Sequence, residues 1–132
     1  MGSKVYFIDL RATLKETFSA KIVRLVETAG LKEIVAERDL VALKLHFGEL
    51  GNTAFIRPVY LRQLVKAVRA AGGNPFLTDA NTLYSGARSD AASHLTTAIQ
   101  NGFAYAVVEA PLVIADGLRG KSEVSVPINR KR

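Results

Sequence analysis

Short apolar runs alternate with amphipathic stretches along this 132-residue chain, and glycines separate many of them. Runs rich in Val, Ile, Leu and Phe are typical of buried strands, whereas apolar residues spaced three and four apart are typical of helices. An alternating strand–helix order favours parallel strands joined by right-handed crossovers. The pattern therefore predicts an α/β fold: a three-layer, Rossmann-like domain with a mostly parallel sheet and helices on both faces.

The predicted elements follow one another without a linker or an internal repeat. Strands are predicted at 4–10, 40–47 and 74–79, as one or two strands within 105–116, and as an edge strand at 122–128. Helices are predicted from Phe18 to Gly30, from Pro58 to Gly72, and from an N-cap at Ser89 to Gly102. Residues 1–132 are therefore predicted to form a single domain.

Composition and charge set limits on location and partners. Charge interrupts the longest apolar runs, so no membrane span is predicted, and no secretory signal is recognisable. The chain has no cysteine, which excludes disulfides and thiolate metal sites and favours a cytoplasmic location. The net charge is +6, but five basic residues and one acidic residue lie between Leu118 and Arg132. Nucleic-acid binding through this basic C-terminus is the lowest-ranked alternative.

Polar side chains gather where the predicted strands end. The carboxyl ends of parallel strands meet at one edge of the sheet, and ligands of open α/β sheets bind there. Strand by strand, these residues are Asp9 and Arg11; Lys44 and His46 with the loop GELGNT; Thr78, Asp79, Asn81 and Thr82; and Asp116 with Arg119. The sequence thus predicts a ligand site at this edge.

Lys44 and His46 are unexpected in a strand that should be buried. Side chains alternate along a strand, so these two share one face, opposite Leu43 and Leu45. A parallel strand covered on both sides is normally apolar on both, and an isolated buried ammonium is costly. Lys44 therefore needs a ligand or an anionic partner, for which Asp79 is the natural candidate. In the alternative, the strand is half exposed and Lys44 reaches solvent.

Two loops flank these strand ends. Backbone N–H groups at Gly48, Gly51 and Asn52 suit an anion, although GELGNT is not a P-loop and its glycines are equally typical of a turn. In the loop that follows the third strand, Tyr84 and Arg88 suit recognition of a carboxylate or a phosphate, or form a solvated loop tip. From the sequence alone, ligand binding and a purely structural role both remain open for these two loops.

A metal site is the second interpretation of the same residues. It would join His46 and His94 to the carboxylate of Asp79 or Asp116, since imidazole and carboxylate are ordinary ligands of divalent ions. No local spacing such as His-x-x-x-His supports it. A single helical histidine such as His94 is more often a packing residue.

Longer motifs cover the same strand ends. They read KLHFGELGNTAFIRP, PFLTDANTLYSGAR, NGFAYAVVEAP and IADGLRG. Together they resemble the N-terminal part of the prokaryotic family known as domain of unknown function 362, over Val5 to about Gly120. The motif positions are Lys44, His46, Gly48, Gly51, Asn52, Thr53, Asp79, Asn81, Thr82, Tyr84, Gly86, Arg88, Asp116 and Gly117.

The resemblance also implies a cofactor and a partner domain. Members of the family often carry a ferredoxin-like cysteine cluster for a [4Fe–4S] centre further along. This chain has no cysteine, so the iron–sulfur cluster is expected only in longer relatives. The chain stops soon after DGLRG, which implies an N-terminal fragment or a short relative.

The function expected from the sequence is binding of a small anion or a metal at the strand carboxyl ends, for redox or metal-linked chemistry. Lys44 would neutralise the ligand, His46 would ligate it or carry a proton, and Asp79 would orient one of them. Further ligand contacts are expected from Gly48, Gly51, Asn52, Thr53, Asn81, Thr82, Tyr84 and Arg88. The alternative is a non-catalytic scaffold or oligomerisation module that joins a second copy or a further C-terminal domain.

Overall fold

The computed structural model describes residues 2–128 and contains a small parallel sheet with helices between its strands. In chain order the elements are α1 (Phe18–Thr28), α2 (Leu31–Ile34), β1 (Leu40–Lys44), α3 (Pro58–Ala70), β2 (Asn74–Asp79), α4 (Ala91–Gln100), α5 (Tyr105–Val108) and β3 (Leu112–Ile114). The strands pair in parallel in the order β1–β2–β3. The predicted α/β fold with an open, parallel sheet is confirmed.

Local chemistry explains where the two longest crossover helices begin and end. Pro58 occupies the first turn of α3, where its missing N–H costs nothing, and Gly72 follows the helix with a φ of 95°. Asp90, rather than the predicted Ser89, caps α4, because its carboxylate accepts the N–H of Ser93 at 3.0 Å. The Ser89 hydroxyl instead donates to the carbonyl of Gly86 at 2.9 Å.

One face of the sheet is packed by helices. The core joins Leu45, Phe47 and Leu77 to buried apolar residues of α3 and α4 in one cluster. Both crossovers, β1 to β2 and β2 to β3, move in the same direction along the sheet. Right-handed connections therefore place α3 and α4 on the same face. This packing fixes the strand ends that carry the polar side chains.

The opposite face carries no helix within residues 2–128. Leu40 is 80% exposed and Val113 is 42% exposed on this face, and Lys44 and His46 are exposed beside them. The sequence predicts helices on both faces of the sheet. In residues 2–128, helices pack on one face. The expectation that β1 is buried on both sides is wrong, because β1 is an edge strand with one uncovered face.

Three predicted strands differ from the structure. Segment 4–10 is not a strand, because it forms no ladder with a neighbour; Ile8 and Leu10 line a groove beside α1 instead. Segment 122–128 likewise has no ladder. Within 105–116, the first residues form the short helix α5, and only Leu112–Ile114 pairs with β2.

Two findings concern the membrane and nucleic-acid expectations. In residues 2–128, every helix is too short or too polar to serve as a membrane span. Arg130, Lys131 and Arg132, on which the nucleic-acid alternative rests, lie outside the described residues.

Candidate functional site

The carboxyl end of β2 places Asp79 among three nitrogen-bearing side chains. Lys44 Nζ, from the end of β1, donates to Asp79 Oδ1 at 2.9 Å. On the other side, Arg88 Nη1 lies 3.6 Å and His94 Nε2 3.5 Å from Asp79 Oδ2. The Lys44–Asp79 pair that the sequence favours is therefore present. We refer to Asp79, Lys44, Arg88 and His94 as the Asp79 cluster.

The environment of Asp79 favours its ionised form. Burial opposes ionisation, since the side chain is only 8% exposed. His94, Lys44 and the backbone N–H of Ala80 outweigh burial and hold the pKa of the Asp79 carboxyl well below its usual range. Asp79 is therefore a fixed negative charge that orients the ammonium of Lys44.

This lowered pKa makes the stability of the fold depend on pH. A carboxyl whose pKa is lower in the folded state stabilises the fold above its unfolded pKa, about 3.9, and loses this contribution as pH falls through the folded pKa. We expect the difference in free energy of unfolding between the parent and Asp79→Asn to be constant from pH 7 to about 5 and to shrink below that. Urea unfolding at a series of pH values measures it. A difference that stays constant down to pH 2 would contradict the assignment.

A second group of side chains ties the GELGNT loop to the loop after β2. Arg88, 5% exposed, donates from Nε to Glu49 Oε1 at 2.8 Å and from Nη2 to Glu49 and to the Tyr84 hydroxyl. The Tyr84 hydroxyl donates to Glu49 Oε1 at 2.7 Å. We call Arg88, Glu49 and Tyr84 the loop clamp. In the loop clamp, Arg88 and Tyr84 form hydrogen bonds to other residues of the protein. The sequence predicts both as ligand contacts.

Charge complementarity stabilises the loop clamp. Hydrogen bonds from Arg88 and Tyr84 hold the pKa of the Glu49 carboxyl below its usual range. Burial opposes the charge of Arg88, but Glu49 more than compensates and raises the pKa of the guanidinium. Sequence reasoning missed Glu49. The sequence pattern that could have indicated the Glu49–Arg88 pair is one acidic residue in the GELGNT loop and a single arginine in the loop after β2.

His94 lies behind Asp79 in the core. Its ring is fully buried on α4 and packs edge-on against Phe47, with ring centroids 5.8 Å apart. Nε2 lies 3.5 Å from Asp79 Oδ2, at the limit of hydrogen-bond distance, and neither ring nitrogen has a partner at good hydrogen-bond geometry among residues 2–128. In this position His94 supports Asp79 and faces away from solvent, as the packing interpretation of its sequence context expects.

Asp116 and Asn81 join the ends of β2 and β3. The carboxylate of Asp116 accepts the backbone N–H of Asn81 at 3.0 Å and its Nδ2 at 3.1 Å. Asn81 Nδ2 also donates to the carbonyl of Gly117 at 2.8 Å. These contacts fix the loop after β2.

The proposed metal ligands are not brought together. Asp79 lies close to His94, but Asp116 accepts a hydrogen bond from Asn81. His46 accepts a hydrogen bond from within its own loop. Across the part of the chain that the structure describes, no group of three or more His, Cys, Asp or Glu residues is placed to hold a metal ion.

The GELGNT loop uses much of its polar backbone internally. The N–H of Gly48 donates to His46 Nδ1 at 2.9 Å, and the N–H of Asn52 donates to the carbonyl of Glu49 at 3.1 Å. Gly48 and Gly51 have φ values of 84° and 82°, which only glycine adopts readily. Two of the three backbone N–H groups predicted to bind an anion are therefore already engaged.

The remaining predicted residues make local contacts, and Thr82 reaches the Asp79 cluster through its backbone N–H, which donates to the carbonyl of Arg88 at 2.9 Å. Asp9 pairs with Lys21 of α1 and accepts the N–H of Arg11. Thr82 donates from its hydroxyl to the carbonyl of Tyr84 at 2.9 Å, and so shapes the loop. Thr53 and Arg119 are exposed.

Lys44 and His46 meet at an open depression at the carboxyl end of β1. It has a volume of about 450 Å³, and its walls are formed by Lys44, Leu45, His46, Ala54, Phe55 and Ile56. Lys44 is 66% exposed, and Asp79 takes one of its three donor positions. His46 Nδ1 accepts a hydrogen bond, so a neutral imidazole carries its proton on Nε2. We call this depression the rim site; Lys44 and His46 both line it, and each side chain carries an N–H donor.

Comparison with known proteins identifies a family. The model of the family described as Domain of unknown function (DUF362) matches residues 41–132, which is more than half of the chain and includes the rim site, the Asp79 cluster and the loop clamp. No curated protein and no solved structure matches the chain.

Proposed function

This chain belongs to the DUF362 family, and we propose that the matched region is a binding domain for a small anion, such as a carboxylate or a phosphate, at the carboxyl edge of its sheet. One observation carries the proposal: Lys44 and His46, which each carry an N–H donor, both line the rim site, and no acidic residue among residues 2–128 lines it. The position agrees with the place where open α/β sheets bind ligands.

Contacts from neighbouring residues prepare the rim site for an anion. Asp79 holds Lys44 Nζ at 2.9 Å, so the flexible ammonium is oriented before a ligand arrives. The loop clamp fixes the GELGNT loop, and the N–H of Gly48 fixes the imidazole of His46. A binding group whose position is held by its neighbours loses less conformational freedom when it binds.

The state of His46 favours an anion over a metal ion. A metal ligand needs a free nitrogen lone pair, but Nδ1 is occupied by the Gly48 N–H and Nε2 of the neutral ring carries the proton. Metal binding through His46 would first require the Gly48 bond to break. The proposal therefore favours an anion over a divalent metal as the ligand.

The redox association implied by the family resemblance applies to longer relatives. The donor set of this chain does not fit a [4Fe–4S] cluster, because a thiolate-held cluster needs cysteines and the chain has none. The contribution we propose for this domain is ligand binding, with any reaction supplied by another domain or partner. A cytoplasmic location, consistent with the lack of cysteine, is part of the proposal.

Calorimetric titration with inorganic phosphate and with acetate tests the anion site. Lys44→Met should weaken binding roughly 10- to 100-fold, because a hydrogen bond to a charged group contributes about 1.5–3 kcal/mol. Lys32→Met is the matched control, since Lys32 is 68% exposed on α2 and lies outside the rim site. Equal affinity in both variants, or no binding by the parent, would refute the proposal.

Two substitutions of His46 separate the role of its two nitrogens. Asparagine places its amide oxygen near the Nδ1 position, so His46→Asn retains an acceptor for Gly48 and removes the Nε2 donor. Glutamine reaches further, so His46→Gln restores a donor near Nε2. We expect His46→Asn to bind phosphate more weakly than His46→Gln. The reverse order would show that His46 acts only on the loop.

A further inference from the structure

An apolar groove lies between α1 and α3, beside the rim site. It has a volume of about 520 Å³, and its walls include Phe18, Ile22 and Leu25 of α1 and Tyr60, Leu61 and Leu64 of α3. Among residues 2–128, Arg57 is the one charged residue that lines it. A concave, apolar surface of this size on a single chain is typical of a binding site.

The groove and the rim site meet at one segment. Phe55 and Ile56 line both cavities, so a ligand that lies over these two side chains can contact both. The rim end offers donors at Lys44 and His46, and the groove end offers hydrocarbon. No acidic residue of the described segment 2–128 lines either cavity. Apart from Arg57 in the groove, the combined surface is therefore cationic at the rim end and apolar at the groove end.

We propose that the ligand of the rim site is an amphipathic anion: an alkyl or acyl chain with a carboxylate or phosphate head. The head lies between Lys44 and His46, the chain passes over Phe55 and Ile56, and its end lies against Ile22 in the groove. This inference rests on the proposed function and adds the chemical class of the ligand. A hydrophilic anion would use only the rim end of this surface.

Chain length provides the test. Titrations with acetate, hexanoate, octanoate and decanoate, each below the concentration at which it forms micelles, should give affinities that rise about twofold to fourfold per added methylene. Octyl phosphate beside octanoate distinguishes the two head groups. Decanol, which has the chain without the charge, should bind more weakly than decanoate.

Substitutions at the two ends complete the test. Lys44→Met should weaken every member of the series, whereas Ile22→Gln should flatten the dependence on chain length. Ile99→Gln is the matched control, because Ile99 is exposed on α4 and lines neither cavity. Circular dichroism of each variant confirms that it is folded.

The possible results separate this inference from the proposed function. Binding of acetate and phosphate without any gain from chain length would overturn the amphipathic ligand and leave the anion site standing. Equal binding of decanol and decanoate would overturn it as well, since the charged head would then contribute nothing. A dimer that decanoate does not dissociate, and that Ile22→Gln does dissociate, would assign the groove to a second copy of the chain and overturn the inference. Failure of acetate and phosphate to bind would refute the anion site itself.

Discussion

Replacement of Asp79 by alanine is expected to lower the free energy of unfolding by about 3–5 kcal/mol, because it breaks a buried charge pair from one side. Asp79 is 8% exposed, and the substitution leaves the guanidinium of Arg88, 5% exposed, with one carboxylate instead of two nearby. His94 also loses the carboxylate 3.5 Å from its Nε2. A loss of this size should lower Tm by roughly 10 °C or more. Thermal and urea unfolding measure it.

Two controls show whether burial causes the effect. Asp39→Ala changes an exposed aspartate whose carboxylate accepts the N–H of Ala36, and should cost about 1 kcal/mol or less. Lys44→Met removes the exposed partner of Asp79 and should also cost about 1 kcal/mol or less, since exposed ion pairs contribute little. If Asp79→Ala were no more destabilising than these two, the cluster would have no structural role.

Gly48→Ala is expected to destabilise the domain by about 2–4 kcal/mol, through backbone strain and steric overlap together. Gly48 has a φ of 84°. An added Cβ would lie 2.5 Å from the ring of Phe55 and 2.8 Å from Asn101 Nδ2. Because Phe55 lines the rim site, its displacement should also weaken anion binding. Urea unfolding and titration with phosphate measure the two effects.

Gly51→Ala separates the backbone from the steric contribution. Gly51 has nearly the same φ, 82°, but an added Cβ there meets nothing within 4 Å. We expect Gly51→Ala to cost about 1–2 kcal/mol and to leave phosphate affinity unchanged. Equal destabilisation by the two substitutions would show that contact with Phe55 and Asn101 contributes nothing.

Much of the architecture could be predicted from the periodicity of apolar residues and from the proline and glycine residues at helix ends. The strand at 74–79 has the bounds of β2, and Pro58 and Gly72 bracket α3 closely, because these signals are local. The number of covered faces is not local. It depends on the direction in which each crossover moves, so the uncovered face that carries Lys44 and His46 could not be read from their own strand.

In the candidate site, too, some contacts could be predicted from the sequence and others could not. The Lys44–Asp79 pair was predictable, because both residues end neighbouring parallel strands. Glu49 was missed, since its partner Arg88 is 39 residues away in another loop. The proton position on His46 depends on the single N–H of Gly48, and no sequence pattern encodes that contact.

Titration of the isotope-labelled protein with inorganic phosphate, followed by NMR, tests the central claim most directly. Resonances of the Gly48 amide and of the His46 ring nitrogens should shift with one saturating curve, and the ring nitrogens should report the proton on Nε2 in the free protein. Resonances of α2, including Lys32, should not move. If saturating phosphate leaves Gly48 and His46 unchanged, or shifts basic residues throughout the chain alike, the rim site is not an anion site.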